Sequence, residues 1–190
     1  MRNPLVLVAV LLTAPLLSGC FGMAAAGLGA SVMIAGDRRT AGVYVEDENI
    51  EWKALALVRE RFPAAHVNAT SYNRRLLLTG EAPDEGARSA LAEAARGIAS
   101  VREVVNELTV GANSTITARG NDTLVTSNVK ARMLGNGKFS PNHVKVITEA
   151  GVVFLLGLVT EAEGDAAVDI ARGTAGVTRV VKVFEYVKPS

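Results

Sequence analysis

Cysteine is nearly absent: the 190-residue chain has one, Cys20, so it can form no internal disulfide and no cysteine-based metal cluster. Aromatic residues are scarce as well, with one Trp, three Tyr and five Phe, too few for a base-stacking platform. Neither sign of charge is in surplus. Lys and Arg number 20 against 19 for Asp and Glu, a formal charge of +1, which argues against a partner as polyanionic as nucleic acid. Catalytic signatures are missing too. LLLTGEAP (76–83) and FLLGLVTE (154–161) carry one glycine each, so neither is a phosphate loop, and no G-x-S-x-G elbow occurs. An enzyme is not expected, and no cofactor is implied.

Charge is also absent from one long stretch, Asn3 to Gly36. Within it Leu5–Leu17 (LVLVAVLLTAPLL) follows the basic Arg2. This is an apolar run of signal-peptide length, shorter than the roughly 20 residues a spanning helix needs. Leu17-Ser18-Gly19-Cys20 then resembles the bacterial lipobox, in which the Cys thiol is lipidated and the signal (1–19) removed. The only cysteine falls where a cleavage site belongs. The rival reading, an uncleaved anchor running through Met33 and Ile34, meets a Gly- and Ala-rich segment that is only weakly apolar. Several acyl chains, each methylene contributing about 0.8 kcal/mol of membrane burial, would make a stable tether. Phe21 follows the Cys in place of the Asp that commonly holds lipoproteins at the inner membrane, which by analogy favours the outer one. Residues 20–42 read as a lipidated N-terminus and flexible tether.

The remainder repeats itself. AARGIASVREVV (94–105) returns as IARGTAGVTRVV (170–181), HVNAT at His66 as HVKVI at His143, and LLLTG ending at Gly80 as FLLG ending at Gly157. Two copies follow, 43–111 and 121–189, joined by a polar linker around GANSTITARG. Periodicity predicts the same αββαβ order in each, an α+β unit with helices on one face of a small sheet. In copy 1 the first helix is expected over Glu48–Arg61, the hairpin over His66–Tyr72 and Arg75–Gly80, and the last strand over Val101–Val110. Copy 2 is expected to match with a helix over Thr123–Leu134 N-capped by Asp122, strands His143–Glu149 and Val152–Gly157, and a last strand Val177–Val187. A unit this small buries only about 60% of its unfolded surface, so each copy should lean on the other.

The αββαβ order, the Gly ending the second strand and the V-x-x-V-V opening of the last strand resemble the BON domain (bacterial OsmY and nodulation). With the lipobox in front, the pair is similar to dual-BON outer-membrane lipoproteins of the DolP type. Asn121–Thr123, Val144–Glu163 and the pattern from Gly176 make copy 2 the nearer match. The resemblance implies two tandem BON domains in a lipid-anchored protein facing the periplasm and supporting envelope integrity and stress tolerance. It also implies an anionic phospholipid surface as partner, reached through the first helix of copy 2. The alternative it leaves is a scaffold for outer-membrane assembly machinery, the cell wall or the cell-division apparatus. No nucleic acid is implied.

The residues themselves single out that helix. With Val125, Val129 and Met133 buried, Leu124, Ser127, Ala131 and Leu134 fall roughly opposite at 100° per residue. Asn128, Lys130 and Arg132 accompany them. From Thr123 to Thr148 the charged residues are Lys130, Arg132, Lys138 and Lys145, with no acid. Apolar tips beside local positive charge suit an anionic membrane, where each Lys or Arg adds about 1 kcal/mol. Packing of Leu124 and Leu134 on copy 1 or on the tether is the other reading. Relatives can carry Trp where this chain has Leu124, and Leu lacks the indole's interfacial preference. Trp52 lies off the stripe of its own helix, which leaves interdomain packing open to it. His66 and His143 share one repeat position and are expected to share a structural job. A zinc site built from both would need two more ligands and a fold-over of the repeats, so no metal site is expected. Asp84-Glu85 and Glu161/Glu163 sit where helix dipoles favour negative charge.

Overall fold

A computed structural model describes residues 36–112 and 114–188. The signal, the lipobox and Cys20 lie outside the described residues. Helix α1 (Ala41–Arg61) starts seven residues before the expected Glu48, because Thr40 caps it by accepting from the Val43 amide at 3.3 Å. It buries Asp47, Ile50, Ala54 and Val58, one stripe at helical spacing. The flexible tether expected over 20–42 therefore ends earlier than read, since α1 already holds Ala41 and Gly42 and the residues before it are engaged.

Strands β1 (His66–Tyr72) and β2 (Arg75–Ala82) form the expected hairpin, antiparallel from His66↔Glu81 to Tyr72↔Arg75. Asn73 and Arg74 both take positive φ, 53° and 64°, the requirement of a two-residue turn that matches strand twist. Helix α2 (Glu85–Arg96) is capped by Asp84, which accepts from the Ala87 amide at 2.8 Å. It returns the chain to a parallel pairing with β2. The single last strand expected over Val101–Val110 is instead two, β3 (Glu103–Asn106) and β4 (Thr109–Val110). Asn106 Oδ1 accepts the Leu108 amide at 3.3 Å, which interrupts the ladder, and Leu108 drops into the core.

Copy 2 begins with α3 (Ile116–Leu134), N-capped by Thr115. Asp122 is not the cap: it lies inside the helix and reaches a hairpin turn. Half of the expected GANSTITARG linker is thus helical. Strands β5 (Val144–Glu149) and β6 (Val152–Val159), helix α4 (Glu161–Arg172) and strand β7 (Arg179–Tyr186) complete the unit. A single 3-10 turn at Pro141–His143 takes the place expected for the first residue of β5. Strand β7 is unbroken and parallel to β6 from Val152↔Arg179 to Val159↔Tyr186.

Each sheet is mixed, with β2 or β6 in the middle. One face of each packs on its own two helices. Leu76, Leu78, Leu91, Ala95 and Leu108 join the α1 stripe in copy 1, and Val125, Val129, Met133, Val153, Leu155 and Phe184 do the equivalent in copy 2. The other faces pack on each other. Tyr72 and Leu77 of copy 1 share a third cluster with Phe154, Leu156, Leu158 and Val183 of copy 2. The described residues from Asp37 onward accordingly form one compact unit of four layers, helices outermost. The copies do lean on each other, each buried Leu or Phe contributing about 1.5–3 kcal/mol. Arg75 to the Phe184 carbonyl, Asn73 to Glu185 and Lys145 to Glu51, at 2.8, 2.8 and 2.9 Å, edge this shared core.

Candidate functional site

The outward face of α3 is built by its inward one. Val125, Val129 and Met133 seal against the sheet, at 3%, 0% and 1% exposure, and that fixes what the other side presents. Leu124 and Leu134 are 65% and 74% exposed. The packing of the two sheets accounts for this: copy 1 covers the opposite face of copy 2, so α3 keeps its outer side clear of it. Ser127, Asn128, Lys130, Ala131 and Arg132 are exposed as well. Ser127 Oγ donates to the Thr123 carbonyl at 2.9 Å and so does not need solvent.

The positive charges of this segment are not equivalent. Lys145 reaches Glu51 of α1 at 2.9 Å. Arg132 donates to the Gly173 carbonyl and, at 3.3 Å, to Thr174 Oγ1, closing the carbonyl end of α4. Lys130 and Lys138 make no ion pair among the described residues. Arg132 and Lys138 also line an open groove of about 340 Å³ with Asn136, Ala166, Asp169 and Ile170. The structure thus brings the seven residues singled out from sequence onto one exposed surface, but commits Arg132 to its own fold.

Trp52 is 65% exposed and takes no part in packing between the copies, contrary to that expectation. Tyr72 does that instead, from the end of β1.

Sequence reasoning missed the clasp ahead of α1. Arg39 bonds Asp47 at 2.8 Å and Asp37 at 2.7 Å, and its guanidinium lies 4.0 Å from the Tyr72 ring centroid. Burial would raise the Asp37 carboxyl, but Arg39 hydrogen bonds outweigh it and hold it below the usual carboxylate range. Burial, with the Asp37 charge adding to it, pushes the Tyr72 hydroxyl up to about 12. Arg38 crosses to copy 2, where it meets Glu163 at 2.6 Å and the Leu158 carbonyl at 2.8 Å. The charged triplet Asp37-Arg38-Arg39 directly after an uncharged run was the available signal.

The two histidines face different partners. His66 Nδ1 lies 2.8 Å from Glu81 of the neighbouring strand, and His143 Nδ1 lies 3.2 Å from Glu163 of α4. Glu163 also closes a capping box with Thr160.

Comparison with known proteins finds the BON domain twice, over residues 47–112 and 121–188. The chain is 38% identical over 188 residues to the outer membrane lipoprotein DolP of Haemophilus influenzae, covering 97% of each. It is 36% identical over 155 residues to the 21 kDa hemolysin of Actinobacillus pleuropneumoniae, 80% of each. It is 27% identical over 144 residues to the osmotically-inducible protein Y of Escherichia coli, 73% of this chain and 72% of that one.

Proposed function

The chain belongs to the BON-domain family, and from that premise we propose that it is an outer-membrane lipoprotein, anchored through Cys20 and facing the periplasm, whose α3 docks on anionic phospholipid and so supports envelope integrity. One observation carries the lipid reading. Leu124 and Leu134 stand exposed on a helix whose segment, Thr123–Thr148, carries no acid. Removing two leucine side chains from water and placing Lys130 near anionic headgroups both favour the bound state. The name of the 38%-identical relative supports the outer-membrane address, and the position of Cys20 supports the anchor.

Liposome pelleting tests it with residues 20–190 carrying Cys20→Ala, which separates the surface from the anchor. Lys130→Glu should weaken binding to phosphatidylglycerol vesicles about tenfold or more and make what remains less sensitive to salt. Leu124→Ala or Leu134→Ala should weaken it several-fold, with the salt dependence kept, because only apolar burial is lost. Arg132→Ala should instead lower thermal stability and change binding less. If all these variants pelleted like wild type while remaining folded by circular dichroism, α3 would not be a lipid surface, and a protein-binding scaffold would replace the proposal.

A further inference from the structure

We propose that His66, Glu81 and Glu149 form a divalent-cation site, zinc by its ligand types, that staples the first BON copy to the second. It is independent of lipid binding and uses none of the α3 surface. One ring nitrogen of His66 and one carboxylate oxygen from each glutamate lie within 4.8 Å of one another. Their placement is fixed by the sheets. His66 opens β1, Glu81 is its cross-strand partner on β2, and Glu149 closes β5 of the other copy. A tetrahedral ion with bonds of about 2.0–2.2 Å sets its ligands roughly 3.3–3.6 Å apart. Binding would open His66 Nδ1 and Glu81 Oε2, now 2.8 Å apart, and draw together ligand atoms that lie up to 4.8 Å from one another. Three protein ligands leave a fourth position for water. One imidazole with two carboxylates suits zinc better than calcium or magnesium, which prefer oxygen alone.

Charge points the same way. Of the other buried carboxylates of the described chain, Asp37 and Asp47 share Arg39, Glu163 holds Arg38, and Asp122 accepts two hairpin-turn amides instead. Glu81 and Glu149 meet no Lys or Arg among the described residues. The lysine on the same strand, Lys145, is turned to Glu51. The groups facing Glu149 are His66, Glu81 and Asn68, with Asp122 adding further negative charge. Two carboxylates side by side with at most one imidazolium between them are short of positive charge. A bound dication supplies it. Asn68 Nδ2 donates to Glu149 Oε2 at 2.8 Å, the kind of outer contact that orients a metal-binding carboxylate.

Copy 2 shows that the arrangement is not imposed by the fold. Gly157 corresponds to Gly80, so Leu158 stands where copy 1 has Glu81. His143 faces a glutamate already paired with Arg38. Among the described residues, no comparable group of ligands forms around the equivalent histidine.

The test is zinc titration by calorimetry of the untagged, acylated mature chain in detergent micelles at neutral pH. One zinc per chain should bind. His66→Gln and Glu149→Gln should each weaken binding more than tenfold, Asn68→Ala by about tenfold, and His143→Gln not at all. Zinc should also raise the melting temperature of wild type and leave that of Glu149→Gln unmoved, which a surface-bound ion would not do. Glu149 is half-buried at a strand end, so its glutamine variant keeps the fold; circular dichroism checks this. No saturable uptake below about 100 μM, uptake indifferent to Glu149→Gln, or equal loss with His143→Gln would each overturn the site.

Discussion

Copy 1 aims Asp47 of α1 at the turn amides of Asn73 and Arg74, at 2.8 and 2.7 Å. Copy 2 aims Asp122 of α3 at those of Ala150 and Gly151, at 2.9 and 2.8 Å. In both, one helix carboxylate accepts the two amides that a tight turn leaves without strand partners, and this locks the helix to the hairpin. Around that shared device the copies diverge. Asp47 also takes Arg39 and Ser71 Oγ, while Asp122 has only the turn among the described residues. His66 meets Glu81, His143 meets Glu163, and the large exposed hydrophobics of the first helix are Tyr44, Val45 and Trp52 in one copy and Leu124 and Leu134 in the other. What specifies the fold is duplicated; what faces solvent or the seam is not.

The strongest way to break that comparison is at Gly80 and Gly157. A Cβ on Gly80 would sit 2.2 Å from the His66 carbonyl oxygen, and one on Gly157 2.3 Å from that of His143. The obstacle is backbone in both copies, so no rotamer relieves it, and Gly80 adds a φ of 109° that L side chains rarely adopt. Gly80→Val and Gly157→Val should each cost more than about 4 kcal/mol, read as a fall in urea midpoint or failure to fold. Because the third cluster is shared, either variant should drag down the other copy, and two separate transitions would show that the copies fold independently.

Asp47→Ala and Asp122→Ala sharpen the comparison. Both strand two turn amides, a loss of about 1–3 kcal/mol. Asp47→Ala also leaves Arg39 buried over Tyr72 without one of its carboxylates, and removing one partner of a buried pair costs about 3–5 kcal/mol. The midpoint should therefore fall further for Asp47→Ala. Equal falls would mean that Arg39 is satisfied by Asp37 alone.

The sequence made the hairpins, the repeat and the core stripes legible because they rest on short-range pattern: alternating apolar residues, a glycine at a fixed place, helical spacing of Ile50, Ala54 and Val58. It misplaced helix starts. Thr40 and Thr115 cap turns that carry little apolar periodicity, so the pattern became readable only a turn or two later. Asp122 looked like a cap because an aspartate before an apolar run has that meaning locally; its partners lie 28 and 29 residues on, which spacing cannot reveal. The α3 face was visible from periodicity alone, since exposing Leu124 follows from burying Val125. The commitment of Arg132 to Gly173, and the meeting of Glu149 with His66, depend on how α4 and the two sheets pack, and no local signal encodes that.

The smallest difference expected between the copies appears in acid. Glu163 accepts from Arg38, from the Thr160 amide at 2.8 Å and faces His143, and copy 1 has Ala87 at the matching place in α2. Burial would raise the Glu163 carboxyl, but the hydrogen bonds from Arg38, Thr160 and His143 lower it from 4.5 to about 2. A carboxyl depressed in the folded state stabilises it above the unfolded value and loses that contribution as pH falls through the folded one. The stability Glu163 supplies should thus be complete above about pH 5 and decline towards pH 2, by about 1–2 kcal/mol after allowance for solvent screening. Urea midpoints measured across that range should fall for wild type and fall less for Glu163→Gln, with Asp37 contributing part of the slope that remains. Arg38→Ala should flatten the curve in the same window, since it removes the strongest of the contacts that depress Glu163. If Glu163→Gln followed the wild-type curve, the clasp from Arg38 would not hold copy 2 in solution, and the two copies would respond to acid alike.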